Sequence, residues 1–328
     1  RQLQAAEQKG DELAKAKALS DIAFANKYKG QPDSAILFYK RAKSIFLAGK
    51  NDEAAEYTDI ALANIYIGQY KIDTALSYLI GVDSLSKVSK NASLQADVKW
   101  NLGLVYKNKE DYLNAARYFK MALNAFQFQK KYSKYILAGC HLSMAYRLMD
   151  QNDSSLNILA QCISVFNKQS LSDSLLYATI QENYADTYLE MGKYPQALAG
   201  FKAALAQFTK YNSTVDIAYQ KYSIGTTLAQ MNRFKEAENY LLQAYMVNDS
   251  IKNYKYLVWI SNALNHMYAE MGDWRNAYKY LQKKADWTDT IGINDQIEKV
   301  NALNRKFETK KKEQEIDIKK TQKKNTKK

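Results

Sequence analysis

Only two prolines, two cysteines, two histidines and twelve glycines occur among 328 residues. So little proline and glycine leaves helices uninterrupted and argues against an all-β fold, whose turns draw on both residues. Cys140 and Cys162 cannot build a disulfide framework and read as reduced core residues. His141 and His266 stand 125 residues apart and cannot share a site, and Cys140, next to His141, faces another way on a helix. No apolar run reaches the ~20 residues that cross a bilayer. A phosphate-cradling glycine loop, a nucleophile elbow and a His-Glu-x-x-His run are all missing. No catalytic activity, cofactor or metal is therefore expected.

The basic excess is unevenly spread. The formal charge is +13, yet Lys299 to Lys328 contribute twelve basic and four acidic residues, so +8 belongs to the last thirty positions. The remaining body carries +5, which does not mark it as a surface that tracks a phosphate backbone. Tyrosine is plentiful at 26 residues. Its apolar ring and polar tip suit seams that are dry at one end and wet at the other.

An internal repeat organises the chain. Small residues recur at Ala35, Ala75, Ala115, Ser155, Ala197, Ala237 and Ala277, separated by 40, 40, 40, 42, 40 and 40 residues. Each follows a turn-forming stretch such as Gly30-Gln31-Pro32-Asp33, Gly192-Lys193-Tyr194-Pro195 or Gly272-Asp273-Trp274. In the third unit, Ala92 to Asn108 reads as a first helix and Asp111 to Lys130 as a second, with apolar residues at spacings of three, four and seven. Gly68, Gly192 and Gly272 are placed for left-handed helix ends, and Pro32 and Pro195 for first turns of second helices.

These residues carry a resemblance. Trp100, Leu102-Gly103, Tyr106, Ala115, Phe119 and Ala122 match the aromatic, Leu-Gly, Tyr, Ala, Phe, Ala signature of the tetratricopeptide repeat. Ala185, Tyr188, Ala197, Phe201 and Ala204 match it in the fifth unit, and Ser143, Tyr146, Ser155, Leu159 and Cys162 match weakly in the fourth. The resemblance implies an all-α, right-handed α-solenoid of seven antiparallel helix pairs with a C-terminal capping or connector helix. Its units would span 12–50, 51–90, 91–130, 131–170, 171–212, 213–252 and 253–290. Residues 1–11 would end a further, truncated repeat, and 291–328 would form the C-terminal helix and basic tail, with Ile297, Val300 and Phe307 along an apolar stripe.

Such arrays bind proteins or peptides on the concave face that their first helices line. By register that face comprises Phe24, Tyr57, Asn64, Trp100, Leu104, Lys107, Met144, Arg147, Glu182, Asp186, Tyr222, Trp259, Asn262 and His266. Lys107 and Arg147 would form a basic sector, and Glu182 and Asp186 an acidic one. The family's carboxylate clamp is not implied: Asn64 and Asn101 fall at two of its asparagine positions, but Ile60, Leu137 and His141 occupy its basic ones. The stretch Arg305 to Ile316 is similar to the connector of bacterial sensory proteins in which a repeat array precedes a membrane helix and a histidine kinase or helix-turn-helix output. That implies an extracytoplasmic sensory module, with membrane contact only through segments outside this chain. A cytoplasmic peptide-responsive regulator or free adaptor is the alternative, and a nucleic-acid adaptor acting through the lysine tail is the second.

Overall fold

A helix of seventeen residues and a turn of three make a module of twenty, and the chain repeats this module. The computed structural model describes residues 2–69 and 71–292. Its helices are α1 Gln2–Lys9, α2 Glu12–Tyr28, α3 Pro32–Ala48, α4 Asp52–Gly68, α5 Ile72–Val88, α6 Ala92–Asn108, α7 Tyr112–Phe128 and α8 Tyr132–Arg147. They continue as α9 Asn152–Lys168, α10 Ser174–Glu190, α11 Tyr194–Lys210, α12 Thr214–Gln230, α13 Phe234–Ser250 and α14 Tyr254–Glu270. A last helix, α15, runs over 274–292, where the description ends. No strand occurs among the described residues. The stripe at Ile297, Val300 and Phe307 and the connector-like stretch lie outside them.

The turn explains the period. Thirteen of the helices are followed by one residue in the left-handed region, at 10, 30, 50, 90, 110, 130, 150, 170, 192, 212, 232, 252 and 272. The next backbone N–H then reaches back to a carbonyl in the last turn, as in Gln31 to Asn26 (2.9 Å), Asp111 to Tyr106 (3.0 Å) and Lys193 to Tyr188 (2.8 Å). This closes the free carbonyls at the helix end. The donor residue itself caps the following helix: Asn51, Asn91, Asp111 and Asp273 accept from the N–H three residues on, at 3.1 Å each. One residue ends a helix, one reverses the chain and one starts the next helix. The longer interval of 22 between 170 and 192 arises from the extra Leu171-Ser172.

Two sequence expectations are corrected by this geometry. Gly68 is the last residue of α4, not a left-handed cap; Gln69 is the cap, its N–H bonded to Ile65. The second helix of the third unit is Tyr112–Phe128, shorter than Asp111 to Lys130, because Asp111 is its N-cap and Lys130 takes a φ of 56°. Gly192 and Gly272 do adopt positive φ, and Pro32 opens α3 where a missing N–H costs nothing.

The chain forms two compact units, up to Gly200 and from Phe201 onward. In the first, successive helices pack as antiparallel neighbours, and alternate first helices also touch, α4 on α6 and α8 on α10. In the second, α13 packs between α12 and α14 in the same way. The fold is an all-α solenoid of helix pairs. Its register residues Ala35, Ala75, Ala115, Ser155, Ala197, Ala237 and Ala277 are all buried. Gly103 lets α6 and α7 close up, since a Cβ there would lie 2.6 Å from the Phe119 ring. Where Ser155 replaces alanine, its hydroxyl pairs with Ser143 (2.7 Å) and Thr187 (2.9 Å), and Thr187 donates to the Asn183 carbonyl (2.9 Å). The buried hydroxyls of α8, α9 and α10 thus satisfy one another.

Candidate functional site

First helices expose one stripe of side chains, and the predicted residues divide between the two units. In the first unit, Phe24 and Tyr57 are exposed, whereas Asn64, Trp100, Leu104, Lys107, Met144, Arg147 and Glu182 are half-buried. Tyr57 shares a hydrogen bond with Ser93 of α6 (3.1 Å), and Lys131 donates to the same hydroxyl (2.6 Å). Trp100 is drawn inward. Its ring meets Phe126 edge-on with centroids 5.8 Å apart and His141 at 5.6 Å.

His141 lies between Trp100 and Phe119, stacked on the latter at 5.2 Å. Burial and then the nearby Lys107 charge hold its pKa down at about 4, so the ring is neutral at physiological pH. Cys140 and Cys162 are free and buried; burial pushes both thiols up, Cys162 to about 12. Neither is a reactive thiolate. Among the described residues, no group of three or more His, Cys, Asp or Glu is placed to hold a metal.

The expected basic and acidic sectors do not stand apart. Arg147 reaches from α8 to α10 and pairs with Asp186 (3.5 Å) and Glu190 (3.3 Å), while Asp186 is only 8% exposed. Arg147 sits within one turn of Asp186 in the stacked helices, so opposite charges neutralise locally. Four repeat-spanning pairs mark the same unit: Lys43–Asp59 (2.7 Å), Lys99–Asp83 (2.6 Å), Lys134–Asp97 (2.6 Å) and Arg147–Asp186. Burial would raise the Asp83 carboxyl, but hydrogen bonds from Lys87 and Lys99 outweigh it and hold it below the usual range.

The second unit carries Tyr222, Trp259, Asn262 and His266. Trp259 is 40% exposed. It meets Tyr256 edge-on at 4.9 Å, with the Lys255 ammonium 5.3 Å from its ring. Tyr219 of α12 meets Tyr256 in turn, with centroids 6.2 Å apart. Tyr219, Lys255 and Tyr256 were not among the predicted residues, although Tyr219 stands one 40-residue period before Trp259. Asn262 accepts a hydrogen bond from Lys284 of α15 (2.8 Å), Tyr222 is half-buried, and His266 is exposed.

Comparison with known proteins now has a geometry to meet. Residues 96–126, 136–210 and 176–250 match models of the tetratricopeptide repeat. These stretches of the chain are tetratricopeptide repeats. No curated protein sequence matches it. Among solved structures it is similar to a Rap conjugation gene regulator of the plasmid pLS20 in complex with the Phr* peptide (TM-score 0.69, 12% identity, 87% of this chain and 77% of that one). It is also similar to a Rap protein complexed with Competence and Sporulation Factor (TM-score 0.67, 9% identity, 86% and 76%). A signal transduction ATPase with a tetratricopeptide repeat sensor from Pyrococcus horikoshii matches at TM-score 0.62 and 15% identity, covering 86% of this chain and 43% of that one. At such identities the likeness is one of fold.

Proposed function

We propose that this protein is a non-catalytic scaffold that binds a peptide or a short protein segment. It would act as the sensory or interaction module of a bacterial signalling or transcription-regulatory protein. The observation that carries the reading is the aromatic and cationic cluster on the first helices of the second unit: Tyr219, Tyr256, Trp259 and Lys255. A half-exposed tryptophan held by a tyrosine and a lysine is preorganised to receive an apolar side chain, with little ordering left to do on binding. Within the first unit by itself, the proposed ligand-facing residues are Phe24, Tyr57 and the half-buried Asn64, Leu104 and Met144. A Rap conjugation gene regulator of similar fold has been solved in complex with the Phr* peptide, and this supports a peptide as the ligand class.

A library of short peptides, titrated by calorimetry against the purified chain, tests the proposal. A selected peptide should bind at least tenfold more weakly to Trp259→Ala and Tyr219→Ala variants that keep the parent's helicity. A binder indifferent to both substitutions would remove the cluster from the site. Failure of every peptide against a folded chain would point to whole proteins instead.

A further inference from the structure

Second helices of such an array turn their outer faces to solvent, and α7 sets apolar and basic residues side by side on that face. On α7 the outward stripe is Leu113, Arg117, Lys120, Met121 and Phe128, with Leu113 72% and Phe128 89% exposed. Forty residues on, the equivalent positions of α9 hold Asp153, Asn157, Ala160, Gln161 and Lys168, an ordinary wetted face. The opposite face of α7 is satisfied already, burying Ala115, Phe119, Ala122 and Phe126. The outward apolar residues therefore have no packing role inside the array.

Charge singles out the same place. From Tyr112 to Met149 there is no acidic residue, while Arg117, Lys120, Lys130, Lys131, Lys134 and Arg147 give six positive charges. Lys134 and Arg147 are spent in ion pairs and Lys131 on Ser93, but Arg117, Lys120 and Lys130 form no ion pair among the described residues. On the other side of α6, the end of α5 adds Leu85, Lys87, Val88 and Lys90, with Val88 83% exposed and no acid from Ser84 to Ala96. Of the flanking carboxylates, Asp83 is held by Lys87 and Lys99, and Asp111, the N-cap of α7, accepts from the Asn114 backbone and side-chain amides. Lys90 and Lys130 also occupy left-handed positions, with φ of 54° and 56°, which glycine fills at 30 and 192.

We infer that the outer face of α7 docks on an anionic lipid surface. Leu113, Met121 and Phe128 are exposed beside Arg117 and Lys120 on one helix face, the mixture of apolar and basic side chains that inserts among anionic headgroups. Flanking cations would face the negative surface potential, which a zwitterionic bilayer lacks. The earlier expectation confined membrane contact to segments beyond this chain; this surface places a contact within the array. It is independent of the peptide face on the first helices.

The test uses the full chain and extruded vesicles, either phosphatidylcholine alone or with one part in three phosphatidylglycerol. A polarity-sensitive dye is placed at Phe128→Cys, and at Ser164→Cys on α9 as control; Cys140 and Cys162 are buried and unreactive. Flotation should show binding to the anionic vesicles only, weakening as salt rises from about 0.1 to 0.5 M. The dye at 128 should shift to the blue and that at 164 should not. Leu113→Ser/Phe128→Ser and Arg117→Glu/Lys120→Glu should each weaken partition at least tenfold while thermal melts stay unchanged. Binding without a shift at 128 would assign it to the lysine tail and overturn the inference, as would no binding at low salt. A vesicle-free dimer that Phe128→Ser dissociates would identify a self-association face and overturn it equally.

Discussion

His141 shows how far a single residue can depart from its usual behaviour. An imidazole held near 4 in the folded chain and near 6.5 when unfolded binds its proton more readily after unfolding. Its neutral form therefore contributes stability in full above pH ~6.5, and that contribution is lost as pH falls toward 4, by at most about 3 kcal/mol. Denaturant midpoints at pH 4.5 and 7 should differ less in His141→Phe than in the parent. An equal pH dependence in both would show that His141 is not the group titrating. Gly103 makes a complementary point through size alone. With a Cβ at 2.6 Å from Phe119, Gly103→Ala should cost about 1–3 kcal/mol, and Phe119→Leu in the same chain should recover part of it. A neutral Gly103→Ala would mean that α6 and α7 can separate freely.

At the scale of the helices, ion pairs and turns decide which neighbour fits. Lys43 of α3 pairs with Asp59 of α4, and one repeat later the same two positions hold Asp83 and Lys99 with the charges exchanged. Lys43→Asp should destabilise the fold by about 1 kcal/mol, and adding Asp59→Lys should restore most of it, because these pairs are partly shielded from solvent. Urea melts of the two variants read this directly; additive losses would show that the contact carries no coupling. Turn chemistry offers a gain. Glu110 sits at φ 59°, where a side chain crowds the backbone. Glu110→Gly should raise stability by about 0.5–1 kcal/mol, seen as a higher melting temperature.

Over the whole molecule, stability is a sum of repeats and of the interfaces between them. Removing residues 51–90 would join α3 to α6 in register and set Lys43 against Lys99, like charges in place of two matched pairs. That shortened chain should regain stability on Lys99→Asp, measured by denaturant unfolding. No gain would show that the alternation of charge has no part in ordering the repeats.

Helices, period and family were legible in the chain because each rests on local chemistry. A left-handed residue about every twenty positions, followed in several turns by a capping Asn or Asp, needs no distant partner, and small residues at intervals of about forty declare close helix contacts. The candidate face was legible only as a stripe. Register puts Arg147 and Asp186 on first helices, but their mutual neutralisation depends on α8 lying against α10. Trp100 likewise belongs to the inner stripe by spacing, yet packing on Phe126 and His141 draws it inward. Tyr219 joins Tyr256 and Trp259 only once α12 and α14 stack. By itself the sequence determined the repeat, its helices and their caps, since those follow from bonds within a few residues. Tertiary structure alone decided which charges cancel, which rings are exposed and which outer face stays apolar, since each depends on neighbours forty residues away.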